Sequence, residues 1–323
     1  MRVRTLRIWK KGKPLWLFLF FWAVMSVIML FLFGYSLFDL RGGLPKADIL
    51  QSQEIAVEPG EVRSVSIKAE GVHLEVGSSY DIRDFEVQLY GPGYINQEAN
   101  WKLDRKGCLH ISLADYPITA NAFGNRYPDN VTMRVLLPKK SYDAIAVSGN
   151  RLHVDLMQCR GKNFVSDVAY GSLLMKKADL QQAEFYSNTA DISIERSRIH
   201  YLTVDNEKGD TKLFDTKTAY CKCYSNKGDT EVLTGKIKGI VELVSKKGDI
   251  HVGTKKWDQN LLINLASERG KVSASSKKKP WKKTIPDAIK KHELILLEGR
   301  GENMLLVKSE AGNIKLDTVK FTQ

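Results

Sequence analysis

The chain has 323 residues, 43% of them hydrophobic, which excludes a disordered polymer and leaves room for one elongated domain or two ordinary ones. Its formal charge of +12 is concentrated in two places, with six basic residues before the first apolar run (Arg2, Arg4, Arg7, Lys10, Lys11, Lys13) and six net charges in "KKKPWKKTIPDAIKK", 277–291. The remainder is close to neutral, which weakens a nucleic-acid reading based on net charge.

The first predicted element is a membrane span. "LWLFLFFWAVMSVIMLFLFGYSL", Leu15 to Leu37, carries no charge over 23 residues. As a helix it would reach roughly 34 Å, enough for a hydrocarbon core of about 30 Å. Apolar residues cover every face, unlike a buried amphipathic helix. Trp9, Trp16 and Tyr35 sit near the ends, where amphipathic rings favour the interface. The run is too long for a signal peptide and lacks a small-residue cleavage pattern, so it reads as an uncleaved anchor. The basic flank stays inside by the charge rule. The expected order is a cytoplasmic tail (1–13), an anchor (14–38) and a juxtamembrane segment (39–54), with the C-terminal domain extracytoplasmic. Any signal to the cytoplasm would then need a membrane-protein partner.

Residues 55–145 read as a β-rich lead-in and cap. "EVRSVSIKAEGVHLEV" and "WKLDRKGCLHISL" each have the form strand, glycine, strand, and Pro138 stops a later strand. From 146 to 323 the pattern becomes a repeat. Gly171, Ala190, Gly209, Gly228, Gly248 and Gly270 fall 19, 19, 19, 20 and 22 residues apart, and Gly312 follows 42 later, two further periods. Apolar residues flank each marker with period two, as in Leu202/Val204 before Gly209 and Ile250/Val252 after Gly248. A fixed period near 20 with two short strands predicts an all-β solenoid whose core forms only when coils stack. Separate hairpins in a sandwich would not require such even spacing. Gly171, Gly209, Gly228, Gly248, Gly270 and Gly312 are the expected corners at positive φ. Ala190 departs from that pattern. The lysine-rich stretch 275–291 interrupts the repeat as a surface loop.

Of the four cysteines, Cys108, Cys159, Cys221 and Cys223, none shows zinc-finger spacing. Cys221 and Cys223 share one strand face and sit in aliphatic slots, so buried thiols are expected.

Candidate chemistry is sparse. The glycines lead into strands, not helices, which argues against a phosphate loop. Asp191, Asp210, Asp229 and Asp249 occupy one corner position and would stack about 4.8 Å apart. They read as a solvated ladder beside Lys208, Lys227, Lys247 and Arg269, with a calcium column as the alternative. His73, His110, His153 and His251 read as surface side chains without carboxylate partners. No catalytic, cofactor or metal residue is assigned. The strongest electrostatic feature is Lys277, Lys278, Lys279, Trp281, Lys282 and Lys283, suited to an anionic wall polymer or lipid headgroups.

The segments "VTMRVLLPKKSYDAIAVSG", "YSNKGDTEV", "LVSKKGDIHV" and "VKSEAGNIKL" give a resemblance over about 55–323. The chain resembles a bacterial β-strand-repeat family of candidate adhesins, a domain of unknown function. Its membrane-anchored members are associated with cell-envelope stress operons. The resemblance implies a right-handed β-helix-like fold and offers no catalytic residues. The expectation is a non-enzymatic binding, scaffold or sensing module at the bacterial envelope. A carbohydrate-active β-helix enzyme acting on wall polysaccharide is the alternative.

Overall fold

The computed structural model describes residues 21–22, 24–29, 51–79, 83–90, 99–113, 131–256, 261–274, 293–297 and 303–319. The chain divides into two compact units, 1–48 with 119–126, and 49–118 with 127–323. In the first, residues 21–22 and 24–29 are helical, and the side chains of Phe21, Trp22, Val27, Ile28 and Met29 are exposed. Among the described residues no helix is long and apolar enough to cross a membrane. The rest of the expected anchor, the basic tail and residues 39–50 lie outside the described residues.

The second unit is all-β. Its early strands are β1 (Gln51–Ile55), β2 (Ser64–Lys68), β3 (Val72–Ser79), β4 (Phe85–Tyr90), β5 (Asn100–Leu103), β6 (Cys108–Ser112) and β7 (Thr132–Pro138). Two long strands follow, β8 (Tyr142–Met157) and β9 (Arg160–Lys176). Next come β10 (Asp179–Ser187), β11 (Thr189–Glu195), β12 (Arg198–Lys208), β13 (Thr211–Phe214), β14 (Tyr220–Lys227) and β15 (Thr230–Thr234). The last are β16 (Ile240–Lys247), β17 (Ile250–Thr254), β18 (Leu261–Ser267), β19 (Val272–Ala274), β20 (Glu293–Leu297), β21 (Asn303–Ser309) and β22 (Ile314–Thr318).

These strands form two ladders that share β8 and β9. One runs β5–β6–β2–β8–β9–β10–β12–β14–β16–β21–β18–β20. The other runs β1–β4–β7–β3–β8–β9–β11–β13–β15–β17–β22–β19. Pairing is parallel throughout the middle, as a coil requires. Antiparallel strands (β5, β1–β4 and β20) close the ends. Parallel ladders of this length exclude the hairpin sandwich.

Inward residues stack from coil to coil. One column reads Ile145, Phe164, Ala183, Leu202, Cys221, Val241, Leu305, Ile263, all buried. Its neighbour reads Val147, Ser166, Phe185, Val204, Cys223, Leu243, Val307, Leu265. Large meets small at Phe164/Ala183 and again at Phe185/Ser166, so the two rings pack diagonally with centroids 5.3 Å apart. That offset keeps the core filled without widening a coil. Cys221 and Cys223 occupy aliphatic slots as expected, with their thiols 3.8 Å apart.

Three expectations are corrected. Chain order is not stack order: Ile314 pairs with both Ile250 and Val272, so the coil of Gly312 lies between those of Gly248 and Gly270. At the other end β2 pairs with both β6 and β8, so the earliest coil is also flanked on both sides. The expected boundary at 145/146 falls inside β8.

The third correction concerns the corners. Gly171, Gly209 and Gly228 have φ of 138°, 117° and 143°, but Gly248, Gly270 and Gly312 lie outside that region. What the column shares is close approach. A Cβ at Gly228, Gly248 or Gly312 would meet the carbonyl oxygen of the preceding layer at 2.1, 2.0 and 1.7 Å. Ala190, in register with Gly171, is buried and has an ordinary φ.

Candidate functional site

From Gly209 onward the marker corners are closed by side chains the period alone does not reveal. A buried Ser or Asn stands three residues before Gly209, Gly228, Gly248, Gly270 and Gly312, whereas buried Val168 holds that place before Gly171. Ser225 and Ser245 hydroxyls donate to the Gly228 and Gly248 carbonyls at 3.2 Å, and Asn206 Nδ2 donates to the Gly209 carbonyl at 3.1 Å. At the far end the Gly270 and Gly312 amides donate to Ser267 and Ser309 hydroxyls at 2.9 and 2.8 Å. These bonds satisfy polar groups that burial would otherwise penalise.

The aspartate column is a relay of backbone bonds. The amides of Asp210, Asp229, Asp249 and Asn313 donate to Oδ1 of Asp191, Asp210, Asp229 and Asp249 at 2.9, 2.9, 2.8 and 2.7 Å, and the Lys271 amide donates to Asn313 Oδ1 at 3.0 Å. The column's first task is holding neighbouring coils in register.

A second corner was not legible from glycine spacing. Gln158, Lys177, Arg196 and Asp215 have φ of 57°, 55°, 49° and 48° and recur every 19 residues. Their amides donate to the carbonyls of Lys176, Glu195, Phe214 and Leu233 in the next layer. The residue after each (Cys159, Ala178, Ser197, Thr216) turns inward and is buried.

Just past this corner the chain shapes the candidate site. Asp179 is in register with Arg160 and with Arg198, and Arg198 with Lys217. All four are exposed, and they line an open groove of about 780 Å³ that crosses successive coils. Leu180 and Ile199 form its apolar floor. His200 and Tyr201 stand at its side with ring centroids 4.5 Å apart, edge to face. Among the described residues no ion pair within 4.0 Å engages Arg160, Arg198 or Lys217.

Tyr201 also begins a flat, tyrosine-rich face. Tyr201 is in register with Tyr220, and Asp205 lies in register between Tyr186 and Tyr224. Tyr201 and Tyr186 are 52% and 41% exposed, far above the core columns beneath them. The Tyr186 hydroxyl donates to Glu184 at 2.7 Å, and that bond raises its pKa. Lys246 sits 5.6 Å from the Tyr224 ring centroid. Tyrosines on outward positions were present in the sequence, but only register brings Tyr186, Tyr201, Tyr220 and Tyr224 onto one face.

The histidines do have carboxylate neighbours, contrary to expectation. His73 Nε2 lies 3.1 Å from Asp155, His110 Nε2 3.3 Å from Asp104, and His251 Nδ1 3.2 Å from Glu231. His73 and His153 are in register on adjacent coils, yet His153 Nδ1 lies 2.9 Å from the Ser172 hydroxyl. The basic-loop residues Lys277, Lys278, Lys279, Trp281, Lys282 and Lys283 lie outside the described residues.

A profile of the family described as Toastrack DUF4097 matches residues 95–317. No curated protein matches the chain. Among solved structures, a candidate adhesin from Bacteroides fragilis is similar at 12% identity, covering 84% of this chain and 98% of its own, with a TM-score of 0.47. A candidate lipid-binding protein from Parabacteroides distasonis is similar at 11% identity, covering 84% and 97%, with a TM-score of 0.35. A candidate cell adhesion protein from Clostridium sporogenes is similar at 12% identity, covering 84% and 100%, with a TM-score of 0.26. At these levels the likenesses carry no ligand or activity across.

Proposed function

The chain belongs to the Toastrack DUF4097 family, and from that premise we propose that it is a non-enzymatic binding module of the bacterial envelope whose groove holds an anionic polymer. The supporting observation is the groove crossing the coils at Arg160, Arg198 and Lys217, with Tyr201 beside it. Three cations against Asp179 leave it net positive, and its direction along the stack suits a linear chain. The tyrosine face offers flat apolar area with polar tips, the surface that sugar rings favour. Against the enzymatic alternative, the corner aspartates already accept backbone amides and face like charges, not an isolated acid/base pair.

Within this reading the module is held at the membrane by the N-terminal run, N-terminus inside and β unit outside. The uncharged segment 15–37 and the exposed apolar side chains over 21–29 support the anchor. The coils are right-handed, the hand that parallel crossovers overwhelmingly adopt. The basic loop adds a second contact to wall polymer or headgroups. Scaffolding or stress sensing would act through a membrane partner.

The test is retention of the full chain, in detergent, on immobilised anionic wall polysaccharide over a salt series. Retention should fall as salt rises. The triple change Arg160→Ala, Arg198→Ala, Lys217→Ala should weaken it at least tenfold, with Lys277→Ala and Lys278→Ala measured separately. Retention that ignores both salt and the triple change would sink the reading.

A further inference from the structure

The hairpin "DRKGCLH", Asp104 to His110, joins β5 to β6 at one end of the stack. Its turn is tightly specified. Asp104 Oδ1 accepts the amides of Lys106 and Cys108 at 2.8 and 2.9 Å, and the Asp104 amide donates to the Cys108 carbonyl at 3.0 Å. Gly107 takes φ of 77° against the Glu61 carbonyl, a position that excludes a larger residue. With Oδ1 engaged, Oδ2 is turned toward His110, whose Nε2 is 3.3 Å away.

Cys108 and His110 are two apart on β6 and alternate with buried Leu109 and Ile111, so both face outward on the same side. One oxygen of Asp104, the Cys108 sulfur and one His110 nitrogen all lie within 4.8 Å of one another. A tetrahedral zinc site with bonds of about 2.0–2.3 Å has ligand–ligand edges of about 3.3–3.8 Å. Closing the triad onto an ion therefore takes small side-chain rotations and no backbone movement. Among the described residues this is the one cluster of three such groups.

We propose that Asp104, Cys108 and His110 form a divalent-metal site of zinc type, with three protein ligands and one vertex left for water or an outside donor. Mixed sulfur, nitrogen and oxygen donors suit a borderline ion and not calcium or magnesium, which take oxygen alone. Thiolate and carboxylate together neutralise the ion's two charges. The two amides on Asp104 Oδ1 serve as the outer support that holds a ligating carboxylate in place. Lys102, in register with His110, and nearby Arg105 and Lys106 add positive charge, which sets the affinity below that of an all-cysteine structural site. Bound metal would clamp β5 to β6 at the end of the ladder, and the open vertex would accept a carboxylate or imidazole from another molecule.

The experiment titrates the reduced full chain, in detergent, with Co²⁺, and then displaces it with Zn²⁺. The expected result is one Co²⁺ per chain with a sulfur-to-cobalt charge-transfer band that Zn²⁺ abolishes. Cys108→Ser should remove that band. Asp104→Asn keeps an oxygen for the turn amides while removing the carboxylate, so it should leave the circular dichroism unchanged and weaken uptake at least tenfold. Absence of stoichiometric uptake would overturn the site, as would an identical band in Cys108→Ser.

Discussion

Asp229 Oδ1 accepts the backbone amide of Asp249 at 2.8 Å, 20 residues later in sequence and one coil further along the stack. The bond ties neighbouring coils together at a corner whose buried side is closed by the Ser225 and Ser245 hydroxyls. Its geometry resembles a helix N-cap, with a short carboxylate satisfying an amide that the ladder leaves over. Asp229→Ala should therefore cost about 1 kcal/mol. Asp229→Asn keeps the acceptor and removes repulsion from Asp210 and Asp249, so it should be neutral or slightly stabilising. Asn313 already fills this role in the coil beyond Asp249, accepting the Lys271 amide. Urea unfolding of the two variants checks the contrast, which disappears if the column is only a charged surface.

Glycine at the marker corners is required by space more than by φ. Gly248→Ala would place a methyl 2.0 Å from the Gly228 carbonyl oxygen, a backbone atom that cannot swing away. The expected cost is about 3 kcal/mol or more, since two coils must separate. Gly235, where nothing lies within 4 Å of an added Cβ, is the control. Gly235→Ala should leave the thermal midpoint nearly unchanged.

The other corner carries strain that can be relieved. Lys177 and Arg196 hold φ of 55° and 49° without being glycine, at about 1 kcal/mol each. Lys177→Gly should raise stability by up to about 1 kcal/mol, less what the freer unfolded chain takes back. A fall of 1 kcal/mol or more would show instead that the Lys177 side chain contributes packing.

Burial pushes the Cys159 thiol up to about 12 and raises Cys223 as well, the latter chiefly through its hydrogen bond with Cys221. In the unfolded chain a thiol ionises near about 8.5. Between these values the folded state holds protons that the unfolded state has lost, so stability is complete below about pH 8.5 and declines as pH rises toward 12. Tyr142, raised by burial, extends the loss above about pH 10. At pH 8 an alkylating reagent should modify half-buried Cys108 alone in the native protein and all four thiols in denaturant. Modification of Cys221 or Cys223 without unfolding would contradict the packing.

Period-two apolar residues around Gly209, Gly228 and Gly248 made the coils legible, because a one-residue slip would turn the core outward. Cys221 and Cys223 were placed inside by the same register. The out-of-order coils were not legible, since Gly312 presents the same local pattern wherever it stacks. Nor were the left-handed corners, because Gln158, Lys177, Arg196 and Asp215 share a conformation and no side-chain chemistry. The groove escaped for a related reason. Arg160, Arg198 and Lys217 are scattered charges along the chain and become a line only when coils are laid side by side. The histidine–carboxylate pairs arise across strands or across a turn, where linear spacing says little.

The coil formed by β21 and β22 is wedged between layers that the chain builds earlier, and this bears on how the molecule is completed. A solenoid stacked in sequence order can zip up behind the ribosome, each layer settling on the last. Here β18 and β19 have no parallel neighbour until residues 303–318 arrive. A chain cut short before them leaves the β16–β17 edge open and β18–β19 without a seat, a surface prone to pair with other chains. Assembly is therefore gated by synthesis of residues 303–318, and a copy that stops short of them is left with open strand edges instead of a closed stack.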